Sequence, residues 1–405
     1  MSTPASSSST GGFVPPPYPY ARLDGLRRQA AQVEGGIVDL SVGTPCDPVP
    51  QAVAAALAEA APRWAGYPSA VGLPPLREAA AGWVERRFGI TVDPAHVVAC
   101  TGTKELVASL PRVLSLRNPS RDTVLYPAIS YPTYEMGAIL AGLRPVPVPL
   151  TKDWHLDLGA VADEDAARAL LLWVNEPGNP TGSAATTAEL TAAVDWARRR
   201  DIVVASDECY VEFTYNAFGR PTAGATALSA GPDGVLVLHS LSKRSNLAGY
   251  RCGFMTGDPE LVAYVGQVRT HAGGMVPGPV QAAAAVAWAD DDHVELQQLV
   301  YGERRAYARS RLRQCGLVEA GGPASFYLWA RSKEEDEDGW AVAARLAATG
   351  TLVSPGELYG AAGGPYVRIA LVHPLERLQL AFDRLGGEVK RRAGVRGVPS
   401  TGASS

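Results

Sequence analysis

LLLWV at residues 170–174, IVVAS at 202–206 and VLVLH at 235–239 are continuous runs of leucine, valine and other apolar residues. Such runs are typical of strands buried on both faces of a sheet. Amphipathic helical patterns separate them, for example TTAELTAAVDWARRR at residues 186–200. Strands that alternate with helices predict an α/β fold with a largely parallel central sheet flanked by helices.

A smaller α+β domain is predicted to follow the sheet. From about Asp290 the chain opens with a helical pattern and ends in shorter strand patterns, ASFYLWA and YVRIAL. We expect part of the N-terminal region to complete this domain. The predicted division is a disordered N-terminal tail (1–19), an N-terminal arm belonging partly to the small domain (20–45), a large cofactor-binding domain (46–288), a small C-terminal domain (289–392) and a disordered C-terminal tail (393–405).

Composition and charge exclude several classes of protein. The 405 residues include 37 Lys and Arg against 41 Asp and Glu, a net charge of −4 without a basic block, so no nucleic-acid partner is expected. The sequence lacks an apolar stretch of membrane-spanning length and a secretory signal pattern. Its five scattered cysteines predict neither disulfides nor a metal site. We therefore expect a cytoplasmic protein without a membrane partner.

The strongest chemical signal is HSLSKRSNLAGYRCGF at residues 239–254. Ser240 and Ser242 flank Lys243, and Arg251 could fold back to the same place. Hydroxyls with a guanidinium suit a phosphate group, and a lysine beside them could bind a carbonyl cofactor covalently. Taken alone, the same lysine could equally be solvated in a strand-to-helix loop.

This S-x-S-K segment, with an arginine eight residues later, resembles the cofactor segment of fold-type I, class I/II aminotransferases. The resemblance implies pyridoxal 5′-phosphate as cofactor and the fold-type I architecture. It implies that Lys243 binds the cofactor and moves the proton at the substrate Cα, while Ser240 and Arg251 hold the phosphate.

Two further motifs follow the order of the family. NEPGNPTG at residues 175–182 would supply Asn179 to the 3′-oxygen of the pyridine ring. SDECY at 206–210 would supply Asp207, which keeps the ring nitrogen protonated, and Tyr210, a donor to the 3′-oxygen. Alone, these motifs would be read as a Pro/Gly turn and a helix N-cap.

Motifs at the edges of the predicted site are also similar to the family. In TGTKE, the helix start formed by Gly102, Thr103 and Lys104 would cradle the phosphate. Tyr131, in AISYPTY, would stack on the pyridine ring. Tyr67, in GYPSAVGLPPLRE, would reach the phosphate of a neighbouring subunit's cofactor, which implies a homodimer.

The substrate α-carboxylate also has predicted contacts. Arg368, in VRIAL, would bind it with both ends of the guanidinium. The backbone of Gly43, in SVGTP, and the side chain of Asn179 would lie beside it. The expected partners are therefore small amino acids and 2-oxo acids.

GTKEL and HAGGMVPGPVQ (residues 271–281) resemble the actinobacterial succinyldiaminopimelate transaminases. This implies transfer of an amino group from L-glutamate to N-succinyl-2-amino-6-oxopimelate in lysine biosynthesis. Because that substrate is anionic at both ends, a second cation is expected, and Lys104 is the candidate. Glu176 and Gly178 depart from the small polar residues expected in this subfamily.

Other functions stay open. The same motifs would serve an aromatic or aspartate aminotransferase, a paralogue in specialised metabolism, or a β-lyase or decarboxylating relative. A non-enzymatic sensor with an aminotransferase-like domain is disfavoured, because only about 35 residues precede IVDLSVG and they lack a basic recognition helix.

Overall fold

The structure, a computed structural model, describes residues 12–216 and 218–396, with side chains up to residue 387. Residues 1–11 and 397–405, which fall in the two predicted tails, lie outside the described part. Residues 12–18 form no regular element, and Pro19–Leu23 form a short 3-10 helix. The last helix extends to Arg396 and so overlaps the predicted C-terminal tail.

The described residues form fifteen strands and thirteen α-helices. The strands are β1 Val38–Asp39, β2 Val97–Cys100, β3 Thr123–Pro127, β4 Arg144–Val148, β5 Ala169–Val174, β6 Val203–Asp207, β7 Thr214–Tyr215, β8 Pro221–Thr222, β9 Val235–Ser240, β10 Gly253–Gly257, β11 Leu317–Glu319, β12 Tyr327–Ser332, β13 Thr351–Leu352, β14 Ser354–Pro355 and β15 Tyr366–Ala370. The helices are α1 Asp24–Ala31, α2 Gln51–Ala60, α3 Pro74–Phe88, α4 Thr103–Arg117, α5 Thr133–Leu140, α6 Asp163–Arg168, α7 Thr187–Arg198, α8 Leu241–Arg244, α9 Pro259–Ala272, α10 Gly278–Ala289, α11 Asp292–Leu312, α12 Gly339–Ala347 and α13 Leu375–Arg396.

A seven-stranded sheet forms the centre of the large domain, in the order β2-β10-β9-β6-β5-β3-β4. Only β10 runs against its neighbours, so the prediction of a mostly parallel sheet is confirmed. One apolar cluster contains residues of α3, α7 and α10, and another contains residues of α4, α5 and α9. Helices thus cover both faces, which explains why the strand sequences are continuously apolar.

The smaller sheet is antiparallel and has the order β11-β12-β15-β14. Its core includes Val38 and Leu40 from the N-terminal region, and β1 pairs with β13 through Val38 and Thr351. The N-terminal arm therefore packs with the C-terminal part of the chain. Among the described helices, none combines the length and the apolar composition needed to cross a membrane.

Candidate active site

A pocket of about 360 Å³ lies where the carboxyl ends of β5, β6 and β9 meet the start of α4. Open α/β sheets bind ligands at such an edge. Most of the residues predicted for the site line it: Gly43, Thr103, Lys104, Tyr131, Asn179, Asp207, Tyr210, Ser240, Ser242, Lys243, Arg251 and Arg368. Of the remaining two, Gly102 is adjacent to this lining and Tyr67 is not part of it within the described residues.

Lys243 lies on the one-turn helix α8, directly after β9, and its Nζ donates a hydrogen bond to the Gly43 carbonyl. Burial lowers the pKa of Lys243 to about 8, and the nearby cations Arg368 and Arg251 act in the same direction. A lowered pKa increases the neutral fraction of the amine, the form that attacks carbonyl carbons.

Asp207 is buried at the end of β6. Its Oδ2 accepts a hydrogen bond from the Tyr134 hydroxyl at 3.0 Å, and its Oδ1 accepts one from the Cys209 backbone N–H at 3.3 Å. Burial raises the pKa of Asp207, although these bonds oppose the shift. A cationic ring nitrogen would be a fitting partner for this carboxylate.

Asn175 joins the proline-rich loop to the strand that carries Asp207. Its Nδ2 donates to the Asp207 carbonyl at 2.9 Å, and its Oδ1 accepts from the Asn179 N–H at 2.9 Å. Sequence reasoning did not single out Asn175 or Tyr134. The signal for Tyr134 was its place in the first turn of α5, three residues after the predicted site residue Tyr131.

Arg368 lies on β15 of the small sheet, and its side chain lines the pocket. Its Nη1 donates to Asn179 Oδ1 at 2.9 Å and its Nη2 to the Ser41 carbonyl at 2.7 Å. Its guanidinium carbon lies 4.0 Å from the centre of the Tyr327 ring. Among the described residues its buried Nε has no hydrogen-bond partner. A carboxylate is the group that would use such a guanidinium.

Tyr327, on β12, is a pocket residue that the sequence analysis missed. Its hydroxyl lies 2.9 Å from the Tyr210 hydroxyl. A Cβ atom at Gly43 would lie 1.7 Å from the Tyr327 hydroxyl, so a side chain at position 43 would displace this tyrosine. The glycine in SVGTP thus leaves room for a contact between the N-terminal arm and β12 of the small sheet.

The opposite end of the pocket fits a phosphate. Gly102 has φ +81°, and a Cβ there would lie 2.5 Å from Arg251 Nη2. That same nitrogen donates to the Thr101 carbonyl at 3.0 Å. Thr103 begins α4, while Ser240 Oγ accepts from the Ser242 N–H at 3.1 Å. Hydroxyls, a guanidinium and a helix N-terminus are the groups that bind phosphate in proteins.

Lys104 lies at the mouth of the pocket with two tyrosines from the N-terminal segment. Its Nζ donates to the Tyr18 hydroxyl at 3.4 Å and lies 5.8 Å from the centre of the Tyr131 ring. Tyr20 also lines the pocket, and its hydroxyl lies 2.7 Å from that of Tyr359. Tyr18 falls within the predicted N-terminal tail, and no sequence motif identified either tyrosine.

Comparison with known proteins gives a consistent result. The family model for aminotransferase class I and II matches residues 35–385. The chain is 42% identical to the 4-dedimethylamino-4-oxo-anhydrotetracycline transaminase OxyQ of Streptomyces rimosus, covering 91% of this chain and 99% of that one. It is 36% identical to the LL-diaminopimelate aminotransferase of Aquifex aeolicus, covering 92% and 96%. A solved structure of a probable N-succinyldiaminopimelate aminotransferase from Thermus thermophilus has a TM-score of 0.82 at 33% identity, covering 91% and 99%.

Proposed function

The chain belongs to the class I and II aminotransferases, enzymes that use pyridoxal 5′-phosphate to move amino groups between amino acids and oxo acids, and from this premise we propose its substrate. We propose that it transfers the amino group of L-glutamate to N-succinyl-2-amino-6-oxopimelate, giving N-succinyl-LL-diaminopimelate and 2-oxoglutarate for lysine biosynthesis. The enzyme would act in the cytoplasm. The observation that supports this proposal is that two cations besides Lys243 and Arg251, Arg368 and Lys104, line the same pocket.

The chemistry divides among the residues of the pocket. When bound, the cofactor supplies a ring that withdraws electrons from the substrate Cα. Lys243 Nζ would hold the cofactor and would then carry the proton at Cα, a task for which a pKa of about 8 suits an amine near neutral pH. Asp207 would keep a proton at the ring nitrogen. Asn179 and Tyr210 would donate to the ring oxygen, and Tyr131 would cover the ring face.

The phosphate end is held by the groups around α4. The backbone at Gly102 and Thr103, the hydroxyls of Ser240 and Ser242 and the guanidinium of Arg251 would bind it. Each of these side chains, and Thr103, lines the pocket. Their positions fix where the reacting carbon lies relative to Lys243.

Substrate recognition rests on the two cations. Arg368 would bind the α-carboxylate with its Nε, which has no partner in the described part of the chain, and with a nitrogen released from Asn179. Lys104 lies at the mouth, between Tyr18 and Tyr131, where it could meet a remote carboxylate such as the succinyl group. A substrate with carboxylates at both ends would thus be held across the pocket.

A homodimer completes this proposal. Tyr67 is 95% exposed, unusual for an aromatic side chain in a segment whose flanks are fixed to the core. We assign it to the phosphate of the neighbouring subunit's cofactor. That assignment explains why Tyr67 is not in the pocket lining of its own subunit, within the described residues.

A second candidate is a transaminase of specialised metabolism. The 42% identity to OxyQ, whose name gives a 4-oxo-anhydrotetracycline as its amino acceptor, favours it. Glu176 also departs from the diaminopimelate pattern. It accepts hydrogen bonds from Ser183 and Ala185 and so shapes the loop that carries Asn179.

The test starts from the absorption spectrum of the purified protein with pyridoxal phosphate, before and after addition of glutamate, beside the Lys243→Ala variant. We expect a visible cofactor band that glutamate bleaches and that the variant lacks. A protein that stays colourless would overturn the aminotransferase activity. The amine-loaded enzyme is then offered N-succinyl-2-amino-6-oxopimelate or a polycyclic ketone, and return of the band with only the ketone would select the second candidate.

A further inference from the structure

The segment that carries Tyr67, residues 64–73, is fully described and forms neither a helix nor a strand. Its orientation must therefore come from neighbouring elements. The most direct of these is the side chain of Gln281, on α10, which has 0% exposure. Its Oε1 accepts a hydrogen bond from the Leu73 N–H at 2.6 Å, and its Nε2 donates to the Ser69 carbonyl at 3.4 Å.

The same amide also binds the loop that precedes α10. Nε2 of Gln281 donates to the Val276 carbonyl at 2.8 Å. One side chain thus joins three backbone groups on two loops. Its neighbours on α10 that face the core include Ala284 and Trp288, which are apolar. A buried amide in such surroundings is stabilising only because its hydrogen bonds are made.

Two further contacts fix the flanks of the Tyr67 segment. Trp64 packs on Gly278, where a Cβ would lie 2.2 Å from the Trp64 ring. The Val71 carbonyl accepts from the Ala99 N–H, on β2, at 2.9 Å. Between these anchors the Tyr67 side chain points away from the core with 95% exposure. The segment is therefore fixed at both flanks while Tyr67 projects from the surface. Of its contacts, the one between Gln281 and the Ser69 carbonyl lies nearest to Tyr67 in the sequence.

We propose that Gln281 is a positioning residue for the active site of the neighbouring subunit. By holding Ser69 and Leu73 it sets the direction in which Tyr67 projects. Within the described residues Gln281 does not line the pocket of its own subunit. The inference rests on the proposed function, in which Tyr67 reaches the phosphate of the partner's cofactor.

The Gln281→Leu variant has a similar volume and lacks all three hydrogen bonds. We expect its homodimer to bind pyridoxal phosphate about 10-fold more weakly, because a misplaced Tyr67 would no longer donate to the partner's phosphate. Gln281→Glu keeps the acceptor for Leu73 but turns an oxygen towards the Ser69 and Val276 carbonyls, so a loss at least as large is expected. The readout is the cofactor dissociation constant from the absorption band, which needs no turnover.

Hybrid dimers, isolated with two different affinity tags, decide which site Gln281 serves. In each, Lys243→Ala is placed in one subunit, so that the absorption band reports only the other site. When Gln281→Leu is on the subunit that keeps Lys243, that site receives Tyr67 from an intact segment, and wild-type affinity is expected. When Gln281→Leu is on the subunit with Lys243→Ala, the reporting site should show the full loss. The reverse pattern overturns the proposal.

Controls separate this outcome from a folding defect and from failure of the proposed function. Tyr67→Phe, at an exposed position, should give the same pattern of hybrids. Gln298→Leu removes a comparable bond from an amide to a backbone carbonyl, that of Glu212, and should leave the affinity unchanged. If Gln281→Leu does not fold, the hybrids are made with Gln281→Met, whose unbranched side chain has a length close to that of glutamine and lacks the amide. A wild-type protein without a cofactor band refutes the function itself, whereas a normal band in a monomer refutes only the action across subunits.

Discussion

Half-buried Lys243 and buried Arg368 line one pocket, and the charge of Arg368 lowers the pKa of Lys243. Arg251 also lowers the pKa of Lys243. The neutral amine is thus favoured by burial, which has the largest effect, and by the charges of Arg368 and Arg251. Arg368 keeps its charge because a guanidinium is protonated at any ordinary pH. The protonation of Lys243 therefore changes near pH 8, whereas Arg368 keeps the positive charge that a carboxylate would need.

This difference predicts a pH dependence for cofactor capture. The pKa of Lys243 is lowered from 10.5 to about 8, so the reactive neutral amine accumulates as pH rises through 8. We expect the rate of covalent capture by cofactor-free protein to rise about 10-fold per pH unit below 8 and to level off above it. Stopped-flow absorption from pH 6 to 10 measures this. In Arg368→Ala the midpoint should move upward; a wild-type rate still climbing at pH 10 would contradict the assignment.

Lys104 is expected to distinguish substrates by their remote charge. Lys104→Ala should raise the KM for the succinylated acceptor about 10-fold, the loss of a charged contact of about 1.5–3 kcal/mol. An acceptor without a remote carboxylate should be nearly unaffected, and Lys104→Arg should keep most of the affinity. Steady-state kinetics on both acceptors checks this, and an equal change in both would remove Lys104 from substrate recognition.

Among the elements, the sequence predicts best those strands and turns whose pattern lies within one short segment. The apolar runs of β5, β6 and β9 were visible, as were the polar residues at their ends. The antiparallel direction of β10 was not, because the strand reverses between β9, the strand before it, and β2, which lies far away in the sequence. The approach of Tyr327 to Tyr210 was hidden for the same reason, since 117 positions separate them.

The start of α4 gives a prediction at this scale. Buried Arg269, on α9, is paired with Glu105, which also accepts from the Thr101 hydroxyl at 3.2 Å. Glu105→Ala would leave the guanidinium without its carboxylate. We expect a loss of about 2 kcal/mol in the free energy of unfolding and weaker binding of pyridoxal phosphate, because the phosphate cradle loses its support.

Urea unfolding and cofactor titration measure both effects. The matched control is Glu260→Ala, which removes an exposed pair with Arg117 in which the carboxylate side chain is 84% exposed. That pair should contribute less than about 1 kcal/mol. If both variants lose the same stability, the Arg269 pair has no special role.

The whole molecule forms the site by bringing separate parts together. Arg368 comes from the small sheet and Lys243 from the large domain, and the carbonyls of Ser41 and Gly43 from the N-terminal arm accept hydrogen bonds from them. Motifs predicted the first two residues. They could not predict that Tyr18 and Tyr20 would line the mouth, because a Ser/Pro-rich segment has no periodic pattern to interpret.

In the proposed function, the exposed Tyr67 would make the site depend on a second copy of the chain. If the partner's site needs this hydroxyl, light scattering after size exclusion should give twice the mass of one chain. Tyr67→Phe should remain dimeric and lose about 10-fold in cofactor affinity, the effect of one hydrogen bond to a charged phosphate. Because the side chain is almost fully exposed within one chain, the free energy of unfolding of a dissociated subunit should not change. A monomer with full cofactor affinity would show instead that each chain completes its own site.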